Sequence, residues 1–231
     1  MSSRSLIVLG VLLVALIFSW LAWRNSSLRR QSSEAPMPVV IKQPVAFASR
    51  TFEPASPPVD MPPLALGESA ECDSDFLSSA SVRGEPRQTD ATHATVTITQ
   101  IKVTLQLNIN IWVPTGVTQH VIEHEDGHRQ ISEYYYQTAD KLAERIAATY
   151  MGKQVDITGT DLGAESSKIL QQMAKDISNE YNKGLNPGPT QLLYDSITDH
   201  GRNEVIVKDA VAHALKNTVI ESAQPTTNPT N

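Results

Sequence analysis

Cysteine is almost missing from this chain of 231 residues: Cys72 stands alone. No intramolecular disulfide can form, and no thiolate cage for a metal can be built. The neighbours of Cys72 are Glu71, Asp73 and Asp75, which raise a thiol pKa rather than lower it and so speak against a nucleophilic cysteine. Basic runs are missing from the body as well. With a net charge of −6 and no cluster of Lys and Arg to neutralise phosphates, nucleic acid is set aside as a partner. The apolar and charged fractions are those of a globular protein, and one folded domain with extra segments is the expected organisation.

Long hydrophobic runs are scarce too, with one exception. Leu6 to Trp23 is uncharged and strongly apolar, lies between Arg4 and Arg24, and carries Trp20 and Trp23 at its outer end. Its length is near the minimum for a bilayer span, tryptophan suits the interface, and no small-residue cleavage site follows. Residues 6–23 are therefore expected to be an uncleaved transmembrane anchor behind a tail of residues 1–5. Arg24, Arg29 and Arg30 slightly outnumber Arg4 plus the amino terminus, which taken alone would keep the body cytoplasmic. The layout of short tail, single span and long tether is instead that of a bacterial signal anchor. It places the protein in the inner membrane, single-pass, with its domain in the periplasm. Residues 24–65, with Pro36, Pro38, Pro44, Pro54, Pro57, Pro58, Pro62 and Pro63, read as a semi-rigid linker. The domain is expected over residues 66–221, and residues 222–231 as a polar, disordered tail.

From Ala94 to Val113 apolar and polar residues alternate: Val96 and Ile98, then Val103, Leu105, Leu107, Ile109 and Ile111. That is a strand signal, predicted as two strands broken near Gln100. Pro114 and Gly116 end it. A long helix is then predicted, capped by Thr115 or Thr118, running through Val121, His124, His128, Ile131, Tyr135, Leu142 and Ile146 to a stop at Gly152. Ala164 to Tyr181 has Ile169, Met173, Ile177 and Tyr181 four apart, an amphipathic helix. Thr190 to Asp199 predicts a short helix ended by Gly201, and Glu204 to Thr218 a last one. The fold class is α+β: a small antiparallel sheet, a long helix and a helical C-terminal part.

Within the long helix lies His124-Glu125-Asp126-Gly127-His128, an H-E-x-x-H pentapeptide. Residues four apart share a helix face, so His124 and His128 can point ring nitrogens at one zinc ion while Glu125 handles a proton beside them. A strand followed directly by such a helix is the order of zincin-type peptidases, where a sheet edge holds an extended peptide beside the metal. A catalytic zinc needs a third protein ligand. The metzincin continuation is excluded, because its Gly and His places hold Ile131 and Tyr134. Glu165 and Glu180 on a following helix are available, and His200, on a turn after a helix with Gly201 behind it, is the sharper candidate. His120, one turn before His124, and His213 read as surface residues, and of Tyr134, Tyr135 and Tyr136 one or two pack inward.

The H-E-x-x-H helix and the later Tyr194-Asp195-x-x-Thr198-x-His200-Gly201 segment together resemble the bacterial family of predicted secreted zinc-dependent proteases. The resemblance covers roughly Cys72 to Gly201. It implies a zincin-like metallopeptidase holding one Zn2+ per chain through His124, His128 and His200. Glu125 would be the general base towards metal-activated water, and Tyr194 a donor to the developing oxyanion. Asp195 would orient a ligand histidine. The expected partners are a peptide or protein substrate and the membrane. Two other readings compete: a noncatalytic zinc-binding envelope module that keeps the fold, and a zinc amidase acting on cell-wall peptides.

Overall fold

The chain builds one very long strand and hangs the rest of the domain on it. The computed structural model describes residues 37–64 and 67–223. In order these are β1 (Val39–Lys42), β2 (Ala46–Phe52), β3 (Glu71–Gln88) and β4 (His93–Pro114), then α1 (Gln119–Gln137) and α2 (Ala139–Ala148). They are followed by β5 (Gln154–Thr158), α3 (Leu162–Gly184), α4 (Gly188–Thr198) and α5 (Val207–Ala223). The expected anchor, residues 6–23, lies outside the described residues. Among those described, no helix is long and apolar enough to cross a membrane. Of the expected C-terminal tail, Ser222 and Ala223 belong to α5, and the rest also lies outside.

The break expected near Gln100 is a β-bulge inside a continuous strand. Arg83 pairs with Gln100 and Gly84 with Ile98, so Thr99 has no partner across the ladder. One unpaired residue shifts the side-chain phase by one, and this keeps both apolar runs on the same face: Ala94, Val96 and Ile98 before it, Ile101 to Ile109 after it, all buried in one core. Gly84 answers the bulge from β3. A Cβ there would come 2.7 Å from Val96 Cγ1 and 3.3 Å from Leu170 Cδ2, so glycine is what lets α3 sit down on the sheet.

The expectation of an antiparallel sheet is corrected to a mixed one. β3 runs antiparallel to β4 along one edge. Along the other edge three short strands line up end to end: β5 antiparallel against His93–Thr97, β1 parallel against Lys102–Leu105 and β2 parallel against Asn108–Pro114. β1 and β2 come from the stretch assigned to the proline-rich linker, whose backbone between Pro38 and Pro44, and after Pro44, remains free to pair.

The apolar face of the sheet is covered by Tyr136 of α1, Ala139, Ala143 and Ala147 of α2, and Met173, Ile177 and Tyr181 of α3. On the opposite face Lys102 and Gln106 are exposed. A second cluster, with Ile131, Tyr194, Ala210, Val211 and Ala214, fastens α4 and α5 against the outer side of α1. The single long helix predicted up to Gly152 is divided at Thr138. Lys42, on β1, donates to the carbonyls of Tyr136 (3.3 Å) and Gln137 (2.9 Å), satisfying the open end of α1 with a cation where the helix dipole favours one.

Candidate metal centre

Two helix faces meet at the centre of the molecule. On α1, His124 and His128 are four apart. On α4, Gln191 and Asp195 are also four apart and so share a face. His124 Nε2 lies 3.2 Å from His128 Nε2, and Asp195 Oδ1 lies 2.9 Å from His128 Nε2 and 3.5 Å from His124 Nε2. These three atoms are close enough to hold one metal ion. His124 and Glu125 are buried, at 3% and 5% exposure.

Gln191 settles which ring nitrogen of His128 carries the hydrogen. Its Nε2 donates to the His128 carbonyl (3.1 Å) and to Ser132 Oγ (3.0 Å), which aims Oε1 at His128 Nδ1 (2.7 Å). Since Oε1 only accepts, Nδ1 bears the hydrogen and Nε2 of the neutral ring offers a lone pair. That lone pair faces another imidazole nitrogen and a carboxylate oxygen. Asp195 Oδ1 is buried and has no aligned donor, and His124 Nδ1 has no partner either. Converging acceptors of this kind suit a shared cation, whether a metal ion or the proton of a charged imidazole. In the free chain, burial works against charge on both groups, yet their mutual contact outweighs it: His128 is raised and Asp195 is held well below the usual carboxylate range. The donor set of two imidazoles and one carboxylate fits zinc with a position left for water.

The arrangement of the described residues differs from the resemblance-based site at two places. His200 does not gather with the two helix histidines; its Nδ1 pairs with Glu68 Oε1 (3.1 Å) and stands 4.0 Å from Asp195 Oδ1. Among the described residues, the third side chain grouped with His124 and His128 is Asp195. Three successive left-handed residues explain the turn: Asp199 (φ 49°), His200 (φ 53°) and Gly201 (φ 72°). Gly201 passes so close beneath His124 that a Cβ there would sit 2.8 Å from its Cγ, which explains the glycine of the motif. Tyr194 is fully buried, and its hydroxyl donates to the His124 carbonyl (3.0 Å), away from the cleft. Its ring stacks on His124 with centroids 5.1 Å apart and meets His128 edge-on at 4.8 Å. In this arrangement it packs against both histidine rings, and its hydroxyl is engaged by the backbone rather than held ready as an oxyanion donor. Gly127 is glycine for the same reason, since a methyl at that place would run into the Tyr194 hydroxyl.

Glu125 lines a cleft of about 260 Å³ between α1, α4 and the start of β3, together with Glu68, Glu71, His128, Gln191 and Asp195. Burial raises its carboxyl, His128 opposes this, and Glu71, Glu68 and Asp195 add to the rise, bringing it to about 8. Burial likewise raises Glu71. The remaining candidates are elsewhere. Glu180 accepts from the Tyr150 hydroxyl, Glu165 stands beside Lys168, and His120 bonds the Asn203 carbonyl (2.7 Å). Cys72, by contrast, also lines the cleft; it packs against the core, and burial pushes its thiol up. The sequence reading missed Gln191, Glu68 and Glu71; only Gln191 had a usable signal, its spacing of four from Asp195. Compared with protein-family models, curated proteins and solved structures, the chain gives no match, so the family resemblance rests on its two motifs.

Proposed function

We propose that this chain is a zinc-dependent peptidase, anchored in a bacterial inner membrane by its N-terminal segment, with its zincin-like domain in the periplasm. The observation that carries the reading is the grouping of His124, His128 and Asp195 beside a cleft that the buried Glu125 also lines. No hydrogen bond among the described residues ties that carboxyl down. Zinc, when bound, supplies a Lewis acid that polarises a peptide carbonyl and acidifies a water. Glu125 would serve as the base that accepts a proton from the attacking water and passes it to the leaving amine. Gln191 fixes the ring of His128, and Tyr194 the backbone and ring of His124, so that neither ligand has to be ordered during turnover. The substrate reading draws on β3, which among the described residues pairs only with β4. Its outer edge carries no further strand among the described residues, and from Glu71 to Phe76 it borders the cleft, where an extended peptide can add as a strand.

The test is hydrolysis of a mixed peptide library by the zinc-loaded full chain, read by mass spectrometry, beside Glu125→Gln. Wild type is expected to cleave. The variant is expected to retain zinc and lose roughly 10²–10⁴-fold in rate, the usual contribution of a positioned general base. Zinc-loaded wild type without cleavage, or equal cleavage by the variant, contradicts the reading.

A further inference from the structure

Asp195 stands between two sets of donors. On one side are the rings of His124 and His128. On the other, Glu68 and His200 approach the same carboxylate, and one ligand atom from each of Glu68, Asp195 and His200 lies within 4.8 Å of the others. We propose that these three residues form a second divalent-cation site, with Asp195 bridging it to the metal held by His124 and His128. The inference rests on the metal-centre reading above and extends it from one ion to a pair.

Three observations carry it. The first is the state of Asp195 Oδ1, which is buried and without an aligned donor although it lies 2.9 Å from His128 Nε2 and 4.0 Å from His200 Nδ1. A carboxylate placed between two ligand sets can bridge two ions, which in two-metal centres stand roughly 3.5–4 Å apart. The second is charge. The cleft is lined by four carboxylates, Glu68, Glu71, Glu125 and Asp195, and by no Lys or Arg. A cleft whose lining carries several carboxylates and no side-chain cation is one where bound cations are favoured. The third is the donor chemistry. Glu68, Asp195 and His200 supply two carboxylates and an imidazole, borderline-hard ligands suited to zinc or manganese. Glu68 comes from the segment just before β3 and His200 from the turn after α4, so the site ties two distant parts of the chain together at the rim of the cleft. Two ions in this arrangement act on both the attacking and the leaving group of a displacement.

The experiment is native mass spectrometry of the full chain equilibrated with Zn2+, for wild type, Glu68→Gln and His200→Ala, together with electron paramagnetic resonance of the Mn2+-loaded wild type. The expected result is two ions in wild type, one in each variant, and an exchange-coupled Mn2+ spectrum. Because Glu68→Gln keeps the shape of a partly exposed side chain, it serves where His200→Ala fails to fold. One ion in wild type, two ions retained in Glu68→Gln, or two uncoupled Mn2+ ions would overturn the second site while leaving the His124, His128 and Asp195 centre standing. No ion in wild type overturns both.

Discussion

Tyr194 shows at the scale of one residue how position alters a role. Its place in the Tyr-Asp-x-x-Thr-x-His-Gly segment suggests a catalytic phenol, but the structure commits its hydroxyl to the His124 carbonyl. Tyr194→Phe is therefore expected to cost about 1 kcal/mol of stability, the worth of one hydrogen bond. Its effect on peptide hydrolysis should stay below about tenfold. A loss of about 10²–10³-fold in kcat with stability unchanged, the mark of an oxyanion donor, would restore the original role. Gln191 is the reverse case, an unremarked residue that sets the tautomer of His128. Gln191→Ala is expected to weaken zinc affinity by roughly 10–100-fold, measurable by competition with a chelating dye; unchanged affinity would show that His128 needs no orienting partner. His124, His128 and Glu125 were legible because helical spacing alone places them. Asp195 was legible only as a neighbour of the metal, because a single left-handed glycine is readable in sequence whereas the left-handed Asp199 and His200 that carry the imidazole away are not.

At the scale of elements, β4 was legible as alternation, and its bulge only as a break near Gln100. What could not be read was that the phase change preserves the facing of the strand. Deleting Thr99 should therefore be tolerated, since Val96 and Ile98 stay on the face of Ile101 and Val103. Deleting Gln106 should be far worse, because one residue less sends Leu107, Ile109 and Ile111 to the opposite face. Thermal unfolding of the two deletions compares them directly, and equal losses would contradict the bulge. The turn between β3 and β4 has its own pH signature. Asp90 accepts from the Thr92 amide and from His93 Nδ1, each at 2.8 Å, and these bonds, led by the amide, lower its carboxyl to about 2. Because the folded value lies below the ordinary one, the stabilisation is present above the ordinary value and is lost as pH falls through about 2. The Tm advantage of wild type over Asp90→Asn should thus shrink between pH 4 and pH 2; a constant difference would assign it to something other than the charge. β1 and β2 were illegible because they are short, lie among prolines, and gain their place through backbone pairing with an already formed β4, which no local pattern announces.

At the scale of the whole molecule, the α+β class follows from one strand-rich half and one helical half, while the layering depends on contacts between segments far apart in sequence. Lys42 closes α1 from β1, and Glu68 meets His200 across the cleft. A metal ion held by His124, His128 and Asp195 would join α1 to α4, so zinc, if it is that ion, should stabilise the fold as a whole, by about 2.7 kcal/mol at a free concentration 100 times Kd. The identity of the third ligand is the point on which the account turns. Zinc affinity of the full chain, measured by chelator competition for wild type, Asp195→Asn and His200→Ala, tests it most directly. The account predicts that Asp195→Asn loses the tightest site, by more than the roughly 10–100-fold that an outer-shell partner contributes, whereas His200→Ala keeps it. Loss of the tightest site in His200→Ala with its retention in Asp195→Asn would contradict the account.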